Sequence, residues 1–470
     1  MYHSPGYRRK PPVRASFARP APVDIVTPAF VKAHLDGRPL KEYTAPYSPI
    51  GVAAPTTSST PALAGRRGNS DTEIAITDVE AVSSYSWVDT EHPEIIVPGS
   101  PNIWNNTNPQ SVPQDSGVVF SDQNGARMGS DASSMTPLFA SIEALRSGEV
   151  IKSETKEKFD YTSLDLITDR NNLRKLLRWA TDAEATTMDG HGAEPFRIDV
   201  QRVGKTCVFT RCDAQVFQYI SEFRGFGQEY EKAATTPTDG CEDATGHHRI
   251  IKMNFGGISI LLRSEVDAWV GTEGDDDDSD DDNDLVAALR SMTVGSSATK
   301  SAATSVGNAA VSTESSTIFG LSILLQRSGD SASTTREPVA QSSLIKIKTR
   351  ASHRPLDWDE AYPQLYLSQT PHFYLARHQR GLFSSSIEKY TLEGLESDLL
   401  VGPEVRKARE GLKKLRGLLR EILDEVRKVE DESAQLCLVR EGKALALYKR
   451  VEGTGKRLSE EVVRVMKSEA

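Results

Sequence analysis

Apolar side chains recur along this chain with two different periods, and the change from one to the other marks out the elements. In "PFRIDVQRVGKTCVFTRC" and "HRIIKMNFGGISILLRSEVDAWV" apolar and polar positions alternate on either side of Gly204-Lys205 and Gly256-Gly257, which predicts two β-hairpins. "TDRNNLRKLLRWA" instead sets Leu173, Leu176, Leu177 and Ala180 at the spacing of one helix face, with Thr168 or Asp169 as the cap. The same period runs through "PEVRKAREGLKKLRGLLREILDEVRKV", where Leu412, Leu415, Leu419, Ile422 and Val426 form one stripe. Further strands are predicted in "TEIAITDVEAVSSYSWVD", "IFGLSILLQR" and "SSLIKIKTRA". "YPQLYLSQTPHFYLARHQRGLF" reads as an irregular start leading into a helix, and a hairpin in "CLVREGKALALYKR" with a charged terminal helix finishes the chain. The sum is an α+β fold, a mixed β-sheet flanked by helices.

Composition limits how much of the 470 residues this fold can use. Hydrophobic content of 38% and aromatic content of 7% are too low for a core of that length, so one domain with long disordered insertions is expected. The boundaries fall at 1–75 for a disordered basic arm rich in Pro and Ser, 76–270 and 316–400 for the two parts of the domain, 271–315 for an acidic and Ser/Ala-rich disordered insertion, and 401–470 for the amphipathic helix, hairpin and terminal helix. The net charge of -10 is concentrated, because "GDDDDSDDDND" between Gly274 and Asp284 holds eight aspartates and leaves the remainder near neutral. Arg8, Arg9, Lys10, Arg14 and Arg19 give the arm three readings: a solvated tail, a nucleic-acid contact, or a transit peptide whose prolines spoil the helix it needs. Cys207, Cys212, Cys241 and Cys437 make no disulfide framework and, with His247, lack the paired spacing of a zinc knuckle, so they read as buried thiols in a reducing compartment. No apolar run reaches membrane-spanning length, and the expectation is an intracellular protein of cytoplasm or nucleus that meets no membrane.

Candidate chemistry gathers on "LLRSEVDAWV". Alternation puts Arg263, Glu265, Asp267 and Trp269 on one side, where two neighbouring acids repel unless a positive group lies between them. A divalent metal would serve, and so would Arg263 on a solvated outer face. Glu231 in "RGFGQEYEK" supplies a third acid, and Lys346 and Lys348 share a face of "LIKIKTR". A phosphodiesterase that uses Mg or Mn needs acids holding one or two ions, about 4 Å apart when paired, and a lysine to orient water or steady phosphate. Glu231, Glu265 and Asp267 are the metal-ligand candidates and Lys348 the catalytic lysine, while Arg170, Arg174 and Arg350 are candidates for binding the phosphates of a nucleic acid. His247 and His248 point to opposite faces, so at most one can join the acids.

At these residues the chain resembles the PD-(D/E)XK nuclease superfamily, and within it the DXO-type decapping nucleases, whose motifs run Gly-Φ-x-x-Φ-Glu, Glu-Φ-Asp and Glu-Φ-Lys. Glu265-Val266-Asp267 fits the second; Tyr230-Glu231 fits the end of the first with its glycine displaced; Lys346-Ile347-Lys348 fits the third only in its lysine. An ammonium at 346 where the resemblance expects a carboxylate lowers metal affinity steeply. The resemblance implies RNA as partner and metal-dependent phosphodiester hydrolysis, intact or degenerate, and also implies that Gln369 falls on the helix after the third motif. A non-catalytic interaction protein on the same fold stands beside it.

From about 74 to 422 the chain also resembles a family of uncharacterised fungal proteins, in segments such as "EFRGFGQEYEKA", "FGGISILLRSEVDA" and "PQLYLSQTP". Its members are often labelled geranylgeranyl pyrophosphate synthetase. That label implies an all-α bundle with two DDxxD motifs on facing helices, whereas this chain offers one match, Asp277, Asp278 and Asp281, inside the aspartate run.

Overall fold

The computed structural model describes residues 28–45, 47, 74–129, 132–148, 159–181, 195–220, 223–271, 312–327, 335–397 and 403–468. Within them lie a twelve-stranded and a seven-stranded sheet, both mixed, with helices against them. This is the expected α+β class, and it overturns the all-α bundle that the prenyl synthase label implies.

All three predicted hairpins are present, the one in "CLVREGKALALYKR" as Leu436–Glu441 paired antiparallel with Ala444–Arg450. Phe196–Val203 returns as Thr206–Cys212, and Ala244–Phe255 returns as Ile258–Val266 with Phe255 opposite Ile258 across Gly256 and Gly257. Those two glycines have φ of 55° and 89°, the left-handed region that such a turn requires. Leu166–Asp169 joins the hairpins by running parallel to both Ile258–Val266 and Thr206–Cys212.

Alternation along Ile258–Val266 feeds two cores. Ile260 and Leu262 face the helices Arg170–Thr181, Trp358–Ser368 and Pro403–Arg427, while Leu261 faces Tyr85, Trp87 and the helix Thr136–Gly148 on the other side. Both faces are covered, which explains why this strand is buried along nearly its whole length. Leu412, Leu415, Leu419, Ile422 and Val426 of the long helix are all fully or almost fully buried, each worth about 1.5–3 kcal/mol of apolar burial.

The strand does not continue straight through "LLRSEVDAWV". Ile258–Val266 belongs to the larger sheet and Ala268–Val270 to the smaller one, with Asp267 at the crossing. In the smaller sheet Ala268–Val270 runs parallel to Asn102–Trp104 and antiparallel to Leu344–Ala351, which pairs in parallel with His372–Gln379. The crossing therefore sets the acidic strand beside the lysine-bearing one.

Four expectations need correction. The arm expected to lack structure over 1–75 carries the helix Pro28–Val31 and the strand Leu35–Thr44, which pairs with Ala444–Arg450 at an edge of the larger sheet. Its remainder lies mostly outside the described residues, as does the aspartate run, although the strand Ser312–Ile318 begins inside the span 271–315. "YPQLYLSQTPHFYLARHQRGLF" is helix first and strand second, because Gln369 turns left-handed (φ 49°) just before Pro371 and the alternating "HFYLARHQ" then extends. Neither Thr168 nor Asp169 stands free as a helix cap: both belong to the strand Leu166–Asp169, and Asp169 pairs with Arg263.

Candidate functional site

Four elements bring the candidate residues together. Glu231 lies on the helix Gly227–Ala234, Glu265 near the end of Ile258–Val266, Asp267 at the crossing, and Lys346 and Lys348 on one face of Leu344–Ala351. Asp267 is the centre. Its Oδ1 accepts from Lys346 Nζ at 2.6 Å and its Oδ2 from the Ile347 backbone N–H at 2.8 Å. The Asp267 side chain is 4% exposed and that of Lys346 20%, so the pair is shielded from solvent.

Electrostatics tie the outer residues to this pair. Burial works against the Lys346 charge, yet Asp267, Glu231 and Glu265 outweigh it and hold the ammonium above its ordinary pKa. The Glu231 carboxyl is pushed well above the usual carboxylate range by burial and then by Asp267, with Lys346 opposing. Arg170 is buried, donates through Nη1 to Ser368 Oγ at 3.1 Å, and is lowered to about 10 by burial and by Arg174, with Asp267 and Glu265 countering. It stays charged at neutral pH.

Lys348 stands one step away. Its ammonium is lowered by burial, with Glu360 countering and Arg174, Lys346 and Arg350 adding to the fall. Glu360 carries no sequence signal that marks it, because its arginine partners lie far back in the chain on another helix. It accepts from Arg174, from Arg178 Nε at 2.7 Å and from Gln364 Nε2 at 2.9 Å. Burial raises its carboxyl, but the two arginines win and bring it down to about 2. Arg174, expected on an open phosphate-binding face, is thus engaged in an ion pair, and Arg350 donates through Nε to the Pro355 carbonyl at 3.2 Å.

Arg263 is not the partner of the acids on its strand. It is buried and pairs with Asp169. His248 sits opposite Glu265 in register, but its ring stacks on Tyr85 at 4.9 Å and meets Asn124 Nδ2 at 3.1 Å, so it is part of the buried network and held neutral chiefly by burial. His247 meets Ser86 Oγ at 3.1 Å. The cysteines are free thiols, three of them buried. Gln369 falls at the C-cap of Trp358–Ser368, donating back to the Tyr366 carbonyl at 2.6 Å.

As they stand, these residues do not fit Mg or Mn. Among the described residues no group of three or more His, Cys, Asp or Glu is spaced to hold a metal ion. Asp267 has both oxygens committed, one of them to a cation already in place. What the arrangement offers is a half-buried positive charge among acidic side chains, with Lys348 and Arg350 further along the same strand face. Among the described residues no helix is long and apolar enough to cross a membrane.

A family model described as "Domain of unknown function (DUF8563)" matches residues 67–448. No curated protein matches the chain. Among solved structures, the chain is similar to Scheffersomyces stipitis Rai1 in complex with (3'-NADP)+ and calcium ion, at 12% identity and TM-score 0.47 over 84% of this chain and 95% of that one. It is similar also to Candida albicans Rai1 in complex with pU5-Mn2+, at 11% identity and TM-score 0.41 over 84% and 96%. A third is K. lactis Dxo1 in complex with manganese, at 9% identity and TM-score 0.34 over 80% and 100%.

Proposed function

The chain belongs to the DUF8563 family, and we propose that it binds RNA on a nuclease-like fold in which metal-dependent phosphodiester hydrolysis has been lost. The observation that carries this reading is the Lys346 ammonium on Asp267, 2.6 Å away in the middle of the acidic cluster. A fixed ammonium there supplies one of the two positive charges that a divalent ion would bring, and it has no open coordination position for water or phosphate oxygen. Removing Lys346 from the cluster costs an ion pair, so a metal has to compete with a tethered cation. Lys348, with its depressed pKa, and Arg350 on the same strand face are the groups assigned to the RNA backbone, and Arg170 steadies the acids from the helix side.

Fluorescence anisotropy with a 5'-phosphorylated RNA oligomer tests this. Binding is expected to be the same in EDTA and in Mn2+, to weaken with salt, and to weaken in Lys348→Ala, with the RNA recovered uncut. Cleavage product in Mn2+ that Asp267→Ala abolishes would restore the hydrolase reading. Absence of RNA binding under any of these conditions would favour the interaction-protein reading.

A further inference from the structure

A cavity of about 270 Å3 lies where the helices Arg170–Thr181, Trp358–Ser368 and Pro403–Arg427 meet, outside the acidic cluster. Its apolar lining comes from Leu177, Pro363 and Ala408. The helices close tightly at one end, since a Cβ at Gly411 would come 2.9 Å from Thr181 Cγ2 and 3.2 Å from Leu177 Cδ1.

Most of the charged groups around this cavity are already partnered. Glu360 is held by Arg174 and Arg178, Asp359 by Lys407, and Glu410 by Lys413 at 2.5 Å. Two donors are left over. Lys414 lines the cavity and makes no hydrogen bond or ion pair among the described residues. Arg174 Nε is buried without an acceptor. Asp357 lines the opposite helix as the residue that opens Trp358–Ser368. One unused ammonium, one unused guanidinium N–H and one carboxyl around a partly apolar cavity match a ligand with an apolar body, an anionic group and a hydrogen-bond donor.

We propose that this cavity binds a nucleoside 5'-monophosphate, with the base between the helices, a base N–H donating to Asp357, and the phosphate meeting Lys414. The choice of a nucleotide among amphipathic anions rests on the RNA-binding reading. Position supports it as well: Arg174 and Glu360 line the cavity and also act on Lys348, so the cavity adjoins the basic strand face. Burial, with Asp359 and Glu360, raises the Asp357 carboxyl, against the opposing pull of the Glu360 N–H and Lys348. The nucleotide can be free or the end of an RNA strand, since both present the same chemistry.

Calorimetric titration of the full chain with AMP and with UMP tests the site. Saturable binding is expected, weakened about tenfold or more in Lys414→Ala, the loss that follows removal of one charge-assisted hydrogen bond. Ala408→Trp, which fills the slot, is expected to abolish it; Lys414→Ala, on a partly exposed side chain, covers the case in which the larger residue disturbs folding. Competition with a 5'-phosphorylated RNA oligomer separates the sources: displacement identifies the strand end, and simultaneous binding identifies a free nucleotide. No saturation with either nucleotide, or binding indifferent to Lys414→Ala, overturns the proposal. If RNA binds and nucleotides do not, only the cavity assignment falls; if nucleotides bind and RNA does not, the RNA reading falls and the cavity stands as a free-nucleotide site.

Discussion

Arg263 holds Asp169 with two nitrogens at once, Nε at 2.6 Å from Oδ1 and Nη2 at 2.9 Å from Oδ2, the two residues facing each other from neighbouring parallel strands. Its Nη1 reaches the Ser134 carbonyl at 2.7 Å and the Tyr85 hydroxyl at 3.1 Å. Burial opposes the charge, yet Asp169 outweighs it and the guanidinium is held above its ordinary pKa. A charge pair of this kind is costly to break from one side, because the remaining ion has no water to turn to.

Arg263→Met is therefore expected to lose about 3–5 kcal/mol of stability, since Asp169 stays buried and unpaired. Asp169→Leu combined with Arg263→Met should recover a large part of that loss. Urea unfolding of the two single variants and the double variant measures the coupling, and additive single losses would contradict a shared pair.

Glu360 gives stability a definite pH dependence. Its carboxyl moves from an ordinary value of 4.5 down to about 2 when the chain folds. A depressed acid contributes stability above its unfolded pKa and loses it as pH falls through the folded value. Glu360→Gln is expected to cost about 2–3 kcal/mol at pH 7, with the gap from the parent chain closing between pH 4.5 and pH 2. Unfolding curves collected across that range check it, and a gap that stays constant with pH would assign the loss to packing.

How much of this was legible in the sequence depends on the distance over which each signal acts. Period and turn chemistry are local, so all three hairpins and the long helix fall where the apolar pattern puts them. The acids were legible as a pair two residues apart on a strand, but the crossing at Asp267 was not, because nothing in "SEVDA" distinguishes one strand from two strands in different sheets. For the same reason Arg263 reads in sequence as a partner for Glu265 and Asp267, while its actual partner lies 94 residues away. The strand His372–Gln379 hides behind a helix period in the preceding segment, and the strand Leu35–Thr44 hides in a Pro-rich context where alternation is weak.

The long helix makes a simpler test of the core. Leu419 is fully buried on Pro403–Arg427, facing the same core as Leu173 and Leu262. Leu419→Ala is expected to lose about 2–5 kcal/mol, the combined cost of lost transfer free energy and the space left behind. A loss below 1 kcal/mol by denaturant titration would place this helix outside the cooperative unit.

Lys346 offers the sharpest contrast between the site as it is and the site its surroundings suggest. The ammonium is surrounded by the acidic groups of Asp267, Glu231 and Glu265, with Arg170 the second basic side chain acting on Asp267 and Glu265. Lys346→Glu removes that charge and adds a fourth carboxylate, so without metal the acids repel one another and the chain is expected to lose stability. A divalent ion then becomes the group that can repay the repulsion, and stability should rise with ligand concentration as mass action requires. Thermal melts of the parent chain are expected to be unmoved by millimolar Mn2+, while those of Lys346→Glu begin lower and climb as Mn2+ is added. Lys346→Met separates charge from geometry: it also loses stability but gains no fourth ligand, so its melting temperature should respond to Mn2+ much less. Equal Mn2+ responses in the parent and Lys346→Glu would mean that position 346 does not govern access of a cation to Asp267.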